Sequence, residues 1–365
     1  MRRRALDHFY NLEYSEAIRL FEQLRDADRT NPAWQNQLAT SYFYEILYRA
    51  GSLQGDLFGA SNKFFTMKKI VPDPALVEGF KKANSEAIRL CEKRLELSKK
   101  DEASLYACGV AYAARASYQG IIEQSLFSTL GTARKANDYH SRLIEANPAF
   151  YDAYLVPGLY DFLLGSLPKA AKFLLFFGGF TGDRQRGLSK VETVSTSGVD
   201  ARTDARIMLT VLYRREHRYA DAIRAVSSLV DVYPRNYVFP LEIGALHRGA
   251  GEKDVAIQQY EHVLQLIQAG TPGFDRAPRA RLHFEMGILY RDLGDQSGMG
   301  LRGDAMAQYT FPSRTEKYRV GAFLRGLVPS TAKWQSGYSE YEAPELSLRS
   351  EEHTSELQSH HDLVC

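Results

Sequence analysis

Ala222 and Ala256 stand 34 residues apart in matching surroundings, VLYRREHRYADAIRAVSSLVDVYP and LEIGALHRGAGEKDVAIQQYEHVL. A recurrence of that length marks one supersecondary unit used again, and such units are stable only when stacked on their neighbours. In the first copy Leu209 and Tyr213 share one helical face, and Tyr219, Ala222, Val226 and Leu229 share the next. A small residue at Ala222 lets the second helix lie close to the first, while the larger side chains fill the gap between them. Pro234 cannot continue a helix interior and closes the unit. In the second copy Gly244, His247 and Ala256 occupy the same frame.

The frame extends toward the N-terminus in halves. EYSEAIRLFEQL gives a second helix through Ala17, Phe21 and Leu24, and QLATSYF a first helix through Leu38, Ala39 and Tyr42. Ala87 and Cys91, then Cys108, Gly109 and Tyr112, then Ala136, His140, Leu143 and Pro148 continue it. Gly158, Gly187 with Val191 and Val194, and finally Gly287, Tyr290 and Gly294 complete about seven units over residues 1–295. The pattern resembles the tetratricopeptide repeat (TPR) family. That resemblance implies an all-α, right-handed superhelical solenoid of about seven helix pairs, and a role in protein–protein interaction. A more distant similarity is to bacterial TPR proteins of the cell envelope and to mitochondrial outer-membrane TPR proteins of inclusion-body clearance.

Three insertions, of about 36, 15 and 17 residues, interrupt the frame near 45–77, 119–131 and 165–182. All fall in turns between first and second helices, which share one edge of a stacked array. The first carries Phe58, Phe64, Phe65, Lys68 and Lys69; the third carries Phe173, Leu174, Leu175, Phe176, Phe177 and Phe180. Two readings stand side by side: these segments pack back onto the solenoid as extra core, or they contact a membrane surface or a partner.

The C-terminal residues 349–365, RSEEHTSELQSHHDLVC, resemble the in-frame translation of a short-read sequencing adapter interrupted by a barcode at His360 and His361. On that reading the His pair is no metal site, Cys365 is no functional thiol, and deleting the stretch should leave the melting temperature unchanged. Removing Arg349 and four acids (Glu351, Glu352, Glu356, Asp362) from a net charge of +2 leaves the body at +5. The protein is then expected to be truncated at this end. Projecting the frame backwards puts Met1 inside a first helix, so an upstream segment is also expected to be missing. The chain reads as cytoplasmic as it stands, and as periplasmic or envelope-located with a lost N-terminal signal. Residues 296–348, rich in Gly and Pro, are expected to be irregular, with a shifted reading frame as one cause, and to exchange hydrogens faster than 203–268.

No HExxH, zinc spacing or P-loop is present, and GMGLRG at Gly298–Gly303 follows no strand, so neither a metal, a cofactor nor enzymatic activity is expected. A body charge of +5 is too dilute for a phosphate-binding surface, which argues against nucleic acid. His140 and His247 fill positions usually held by Phe or Tyr and read as packing residues. Cys91 and Cys108, on adjacent helices, are expected to be buried free thiols, since three cysteines make no disulfide framework.

The family resemblance puts the partner site on the first helices, where the frame places Tyr106, Val110, Leu155, Leu159, Phe162, Ile207 and Val211, with Arg214, Arg248 and Arg291 as a basic ridge. Chaperone-binding members resemble each other in a Lys/Asn clamp for a C-terminal carboxylate; here those positions are apolar or aromatic. An amphipathic or acidic protein segment is therefore the expected guest. The Phe173–Phe180 insertion folding into the groove, and the Arg residues pairing with Glu242 and Glu285, are the alternatives.

Overall fold

The computed structural model describes residues 1–53, 70–168, 172–173 and 179–293, together with three strands at 305–312, 317–324 and 346–351. It divides into two units, Met1–Ala277 and Pro278–Cys365.

The first unit is a series of antiparallel helix pairs: α1 (Arg2–Tyr10) with α2 (Tyr14–Ala27), α3 (Pro32–Arg49) with α4 (Pro74–Leu97), and α5 (Glu102–Ile121) with α6 (Leu126–Ala146). A 3-10 turn (Tyr151–Tyr154) leads into α7 (Leu155–Gly165) and α8 (Arg184–Ser197). Then come α9 (Arg202–Arg215) with α10 (Tyr219–Val230), and α11 (Val238–Gly249) with α12 (Lys253–Gln268). Local chemistry sets many of these starts. Asn31, Asp73, Asp101 and Asp183 each accept a backbone N–H of the first turn, and Pro32 and Pro74 open α3 and α4. The all-α, TPR-like stack expected from the sequence is what this unit forms.

The turn between paired helices reuses one conformation. Leu12, His217 and Gly251 each lie five residues before the small residue of the second helix, and all are left-handed, with φ of 63°, 56° and 84°. Only glycine takes that conformation without a steric cost, about 1–2 kcal/mol for other residues. His217 is exposed, so replacing it with Gly should raise stability by about 1 kcal/mol in urea denaturation. An unchanged or lower midpoint would show that the turn is not strained.

A second recurring device joins neighbouring pairs. The Tyr112 hydroxyl donates to Glu92 at 2.7 Å, and that of Tyr213 to Glu192 at 2.7 Å. Tyr42 and Glu22 are the equivalent pair, and after burial the Glu22 charge helps raise the Tyr42 hydroxyl. In each case the glutamate follows the small residue of one second helix by five positions, and the tyrosine lies on the next first helix. Burial first, and then the Glu192 bond, push the Tyr213 hydroxyl up to about 12. Tyr213→Phe should cost about 1.5–3 kcal/mol, the usual range for a hydrogen bond to a charged partner. A chemical melt within error of the parent would remove the device from the account.

One of the three insertions differs from a loop. The one expected at 119–131 lengthens two helices instead: α5 runs to Ile121, α6 begins at Leu126, and Gln124 makes the corner at φ 52°. Of the other two, residues 54–69, 169–171 and 174–178 lie outside the described residues, and with them Phe58, Phe64, Phe65, Lys68, Lys69, Leu174, Leu175, Phe176 and Phe177. Phe173 is exposed, and Phe180 faces the Arg134 guanidinium at 5.5 Å.

His140 is a packing residue, as read. It is buried, and its Nδ1 lies 2.9 Å from the Ala153 carbonyl, which assigns the proton to Nδ1. Its ring covers Gly109 so closely that a Cβ there would fall 1.8 Å from the ring. The free-thiol expectation for Cys91 and Cys108 is corrected: the two are joined in a disulfide between α4 and α5, with Cα atoms 5.5 Å apart. Cys91 sits four residues after Ala87, on the face of α4 that meets α5, so the repeat packing itself brings the two sulfurs together.

The second unit contains α13 (Arg279–Leu293), the first helix of the seventh repeat, and a three-stranded antiparallel sheet in order β1-β2-β3. β1 (Ala305–Pro312) pairs with β2 (Lys317–Leu324) from Ala305↔Leu324 to Pro312↔Lys317. β3 (Leu346–Glu351) pairs with β2 from Leu346↔Leu324 to Glu351↔Arg319. Of the stretch 296–348 expected to be irregular, residues 305–312, 317–324 and 346–348 lie in these strands, and the rest is outside the described residues. Glycines exclude helix there but not extended chain, and Gln308, Tyr309, Thr310 and Phe311 suit a strand. Arg349, Ser350 and Glu351, the first three residues of the adapter-like stretch, pair within β3.

Candidate partner-binding groove

First helices α5, α7, α9 and α11 carry most of the positions assigned to a partner. Tyr106 and Val110 on α5, Leu155 and Leu159 on α7, Ile207 and Val211 on α9, and Arg248 on α11 are half-buried. Two others are not surface groups. Phe162 is fully buried in the cluster of Leu188, Val191 and Val194. Arg214 is buried and lies 2.9 Å from Glu242, so the internal ion pair is the alternative realised. Arg291 is exposed beside Asp292 at 3.1 Å, on α13 of the second unit.

The first repeat closes onto the fifth and sixth. Tyr10 at the end of α1 donates to Asp204 on α9 at 3.0 Å, and its ring lies 4.9 Å from that of Tyr233. Arg2 pairs with Asp200 at 2.7 Å. Arg235 bonds Asp7 on α1 at 2.7 Å and Glu13 just before α2 at 2.9 Å; burial raises the Glu13 carboxyl, but the bonds to it hold it below its ordinary range. The fully buried Asn11 accepts the Arg235 backbone N–H, Asn236 donates to the Tyr10 carbonyl at 2.7 Å, and Arg276 donates to the Leu12 carbonyl at 2.9 Å. Asp7, Asn11, Arg235 and Arg276 do not recur at the repeat period, so repeat reading could not single them out, whereas Glu13 and Asn236 have counterparts in the frame at Glu252 and Asn31.

This closure gathers ionisable groups on the inside of the unit. Asp204 is raised to about 6, chiefly by burial, with the Asp152 charge adding and the Tyr10 hydrogen bond opposing. Tyr10, Tyr44, Tyr106 and Tyr233 are all pushed up by burial, and each also feels the Asp204 charge. Asp152 accepts the backbone N–H groups of Val199, Asp200 and Ala201.

The sign of the resulting pH dependence follows from the direction of each shift. A folded-state carboxyl near 6 binds its proton more readily than an unfolded one near 3.9, so ionised Asp204 costs stability at neutral pH and the cost is relieved as pH falls through 6 toward 4. His140 opposes it. Burial depresses its folded value to about 4, so stability is lost as pH falls from about 6.5 through 4. Asp204→Asn should therefore exceed the parent by about 2 kcal/mol at pH 8, with the gap closing by pH 4. A pH-independent difference in urea midpoints would rule out Asp204 as the titrating group.

Among the described residues no group of three or more His, Cys, Asp or Glu is arranged to hold a metal, and no helix is long and apolar enough to cross a membrane. No protein-family model matches the chain, and no curated protein matches it in sequence. Among solved structures it resembles a tetratricopeptide repeat protein from Parabacteroides merdae at 15% identity over 82% of this chain and 88% of that one, with a TM-score of 0.33. It also resembles the human IFIT1 dimer with m7Gppp-AAAA, at 14% identity, 80% and 68% coverage and a TM-score of 0.37. Yeast Tom70 matches at 12% identity over 79% of this chain and 61% of that one, with a TM-score of 0.29.

Proposed function

We propose that the first unit is a non-catalytic scaffold that binds a protein segment along its first helices. The observation that carries this reading is the row of half-buried apolar side chains, Val110, Leu155, Leu159, Ile207 and Val211, on successive first helices. Apolar positions at helical spacing favour an amphipathic helix as guest. The acidic character once expected of that guest rested on the Arg ridge, and Arg214 is engaged by Glu242. A photo-crosslinking residue placed at Val110 or Val211 should capture a defined partner. The same residue at the exposed outer positions Lys93 and Ser227 should not. Equal capture from both faces would defeat the groove as the binding surface.

The envelope-associated alternative is favoured by one observation, the Cys91–Cys108 disulfide, because such bonds persist in oxidising compartments. Phe127 and Phe173, 89% and 63% exposed, are the apolar groups that would serve a membrane or partner contact. Carbonate extraction separates the two: release by high salt alone speaks for a scaffold held by protein, and resistance to carbonate for insertion into lipid.

A further inference from the structure

We infer that the seam where the first repeat meets the fifth and sixth is a gate, which parts to admit a protein segment to the first helices. This concerns the regulation of the groove proposed above and rests on that reading for the segment it admits.

The seam covers part of the groove. Tyr10 reaches Asp204 at 3.0 Å and Arg2 reaches Asp200 at 2.7 Å, so α1 is docked at the start of α9. Asp204 lies one and two turns before Ile207 and Val211, on the same face of that helix. The Tyr10 hydroxyl is therefore seated on the face that carries the candidate groove residues. The other half of the seam joins the α1–α2 turn to two later turns. Arg235 reaches Asp7 and Glu13, while Asn236 and Arg276 donate to the carbonyls of Tyr10 and Leu12. Arg276 also covers the Tyr48 ring of α3, 5.9 Å from its centroid.

The chemistry of the seam suits parting. Interfaces between neighbouring helices hold buried Leu, Val and Phe side chains, which water cannot satisfy. The seam is joined by hydrogen bonds and ion pairs, whose groups bond to water once separated. Its ring contact, Tyr10 on Tyr233, unites two side chains that also carry hydroxyls. Arg2, Asp200, Asp7 and Arg235 stay partly open to solvent, so salt screens their pairing. The receiving side is built independently of the first repeat. Gly273, left-handed at φ 86°, lets its turn press on the Arg235 carbonyl, where a Cβ would come within 2.1 Å. Arg235, Asn236 and Arg276 thus share one packed support, ready to be met or released together.

The test measures the seam in the intact chain by electron spin resonance, with spin labels on ketone-bearing residues placed at the exposed positions Arg3 and Val232. Access to the groove is read separately, from the rate at which Val211→Cys in a Cys365→Ser chain reacts with a polyethylene-glycol maleimide. Raising sodium chloride from about 0.1 M to about 1 M, where the screening length falls to ~3 Å, should lengthen the label distance and speed the reaction about threefold. Arg235→Ala loses bonds to two carboxylates and should do both at low salt, by about tenfold. Labels at Lys93 and Glu145, on the neighbouring helices α4 and α6, should not move. If Arg235→Ala fails to fold, Asp7→Asn with Glu13→Gln removes the same pairs from the other side, and the salt series needs no seam variant. A label distance unmoved by salt and by the variants that fold overturns the gate. Lengthening with an unchanged rate at Val211→Cys overturns it as well, since a seam that parts without baring α9 admits nothing. Neither result touches the scaffold reading, which crosslinking at Val110 and Val211 decides.

Discussion

Gly187→Ala should destabilise the first unit by about 3 kcal/mol, a large loss for a single added methyl group. A Cβ at this position of α8 would lie 2.4 Å from the Phe162 backbone nitrogen and 2.5 Å from the Gly158 carbonyl oxygen, both in α7. These are backbone atoms and cannot rotate away. Gly158 faces the same crossing from the other side, where a Cβ would come within 3.0 Å of the Gly187 carbonyl and 2.8 Å of Val191. The two helices therefore touch through paired glycines, and only a separation of α7 from α8 would admit a methyl. That movement would open the cluster of Phe162, Leu188 and Val191, each at most 1% exposed. Gly131 on α6 is the control, because a Cβ there meets nothing within 4 Å and alanine should be tolerated or stabilising. Equal urea midpoints for Gly187→Ala and Gly131→Ala would show that the crossing is not close-packed.

That glycine was legible in the sequence because packing between paired helices is local and periodic. Gly187, Ala222 and Ala256 stand where each second helix must approach its partner, and the same frame located His140 over Gly109. Aspartate and asparagine caps and prolines mark helix starts for equally local reasons. What the sequence concealed is what depends on distant pairs. Tyr10 meets Asp204 across 194 residues and Arg235 meets Asp7 across 228, and neither pair leaves a periodic trace. The insertion near 119–131 carries helical spacing in continuation of its neighbours, so frame arithmetic gave its length but not its form. In the second unit the rule that glycine breaks helices was sound, yet it could not tell irregular chain from the strands at 305–312 and 317–324.

Reduction of the Cys91–Cys108 bond should cost about 3 kcal/mol, from the loop-closure entropy it removes from the unfolded chain. The bond spans 17 residues, including the end of α4, the turn at Ser98–Asp101 and the start of α5. Both cysteines are fully buried among Leu95, Leu105 and Leu143, so a reductant should act slowly on the folded protein and quickly in denaturant. A Cys91→Ser, Cys108→Ser chain should lose at least as much, because two hydroxyls would then sit in apolar surroundings, whereas paired alanines isolate the covalent contribution more cleanly. The reading is checked by urea denaturation with and without reductant, and by thiol labelling of the denatured chain before reduction. Free labelling at both positions in an unreduced sample would mean that the sulfurs lie close without a bond. The stability difference and the oxidising-compartment argument would then fall together, because both depend on the same covalent link.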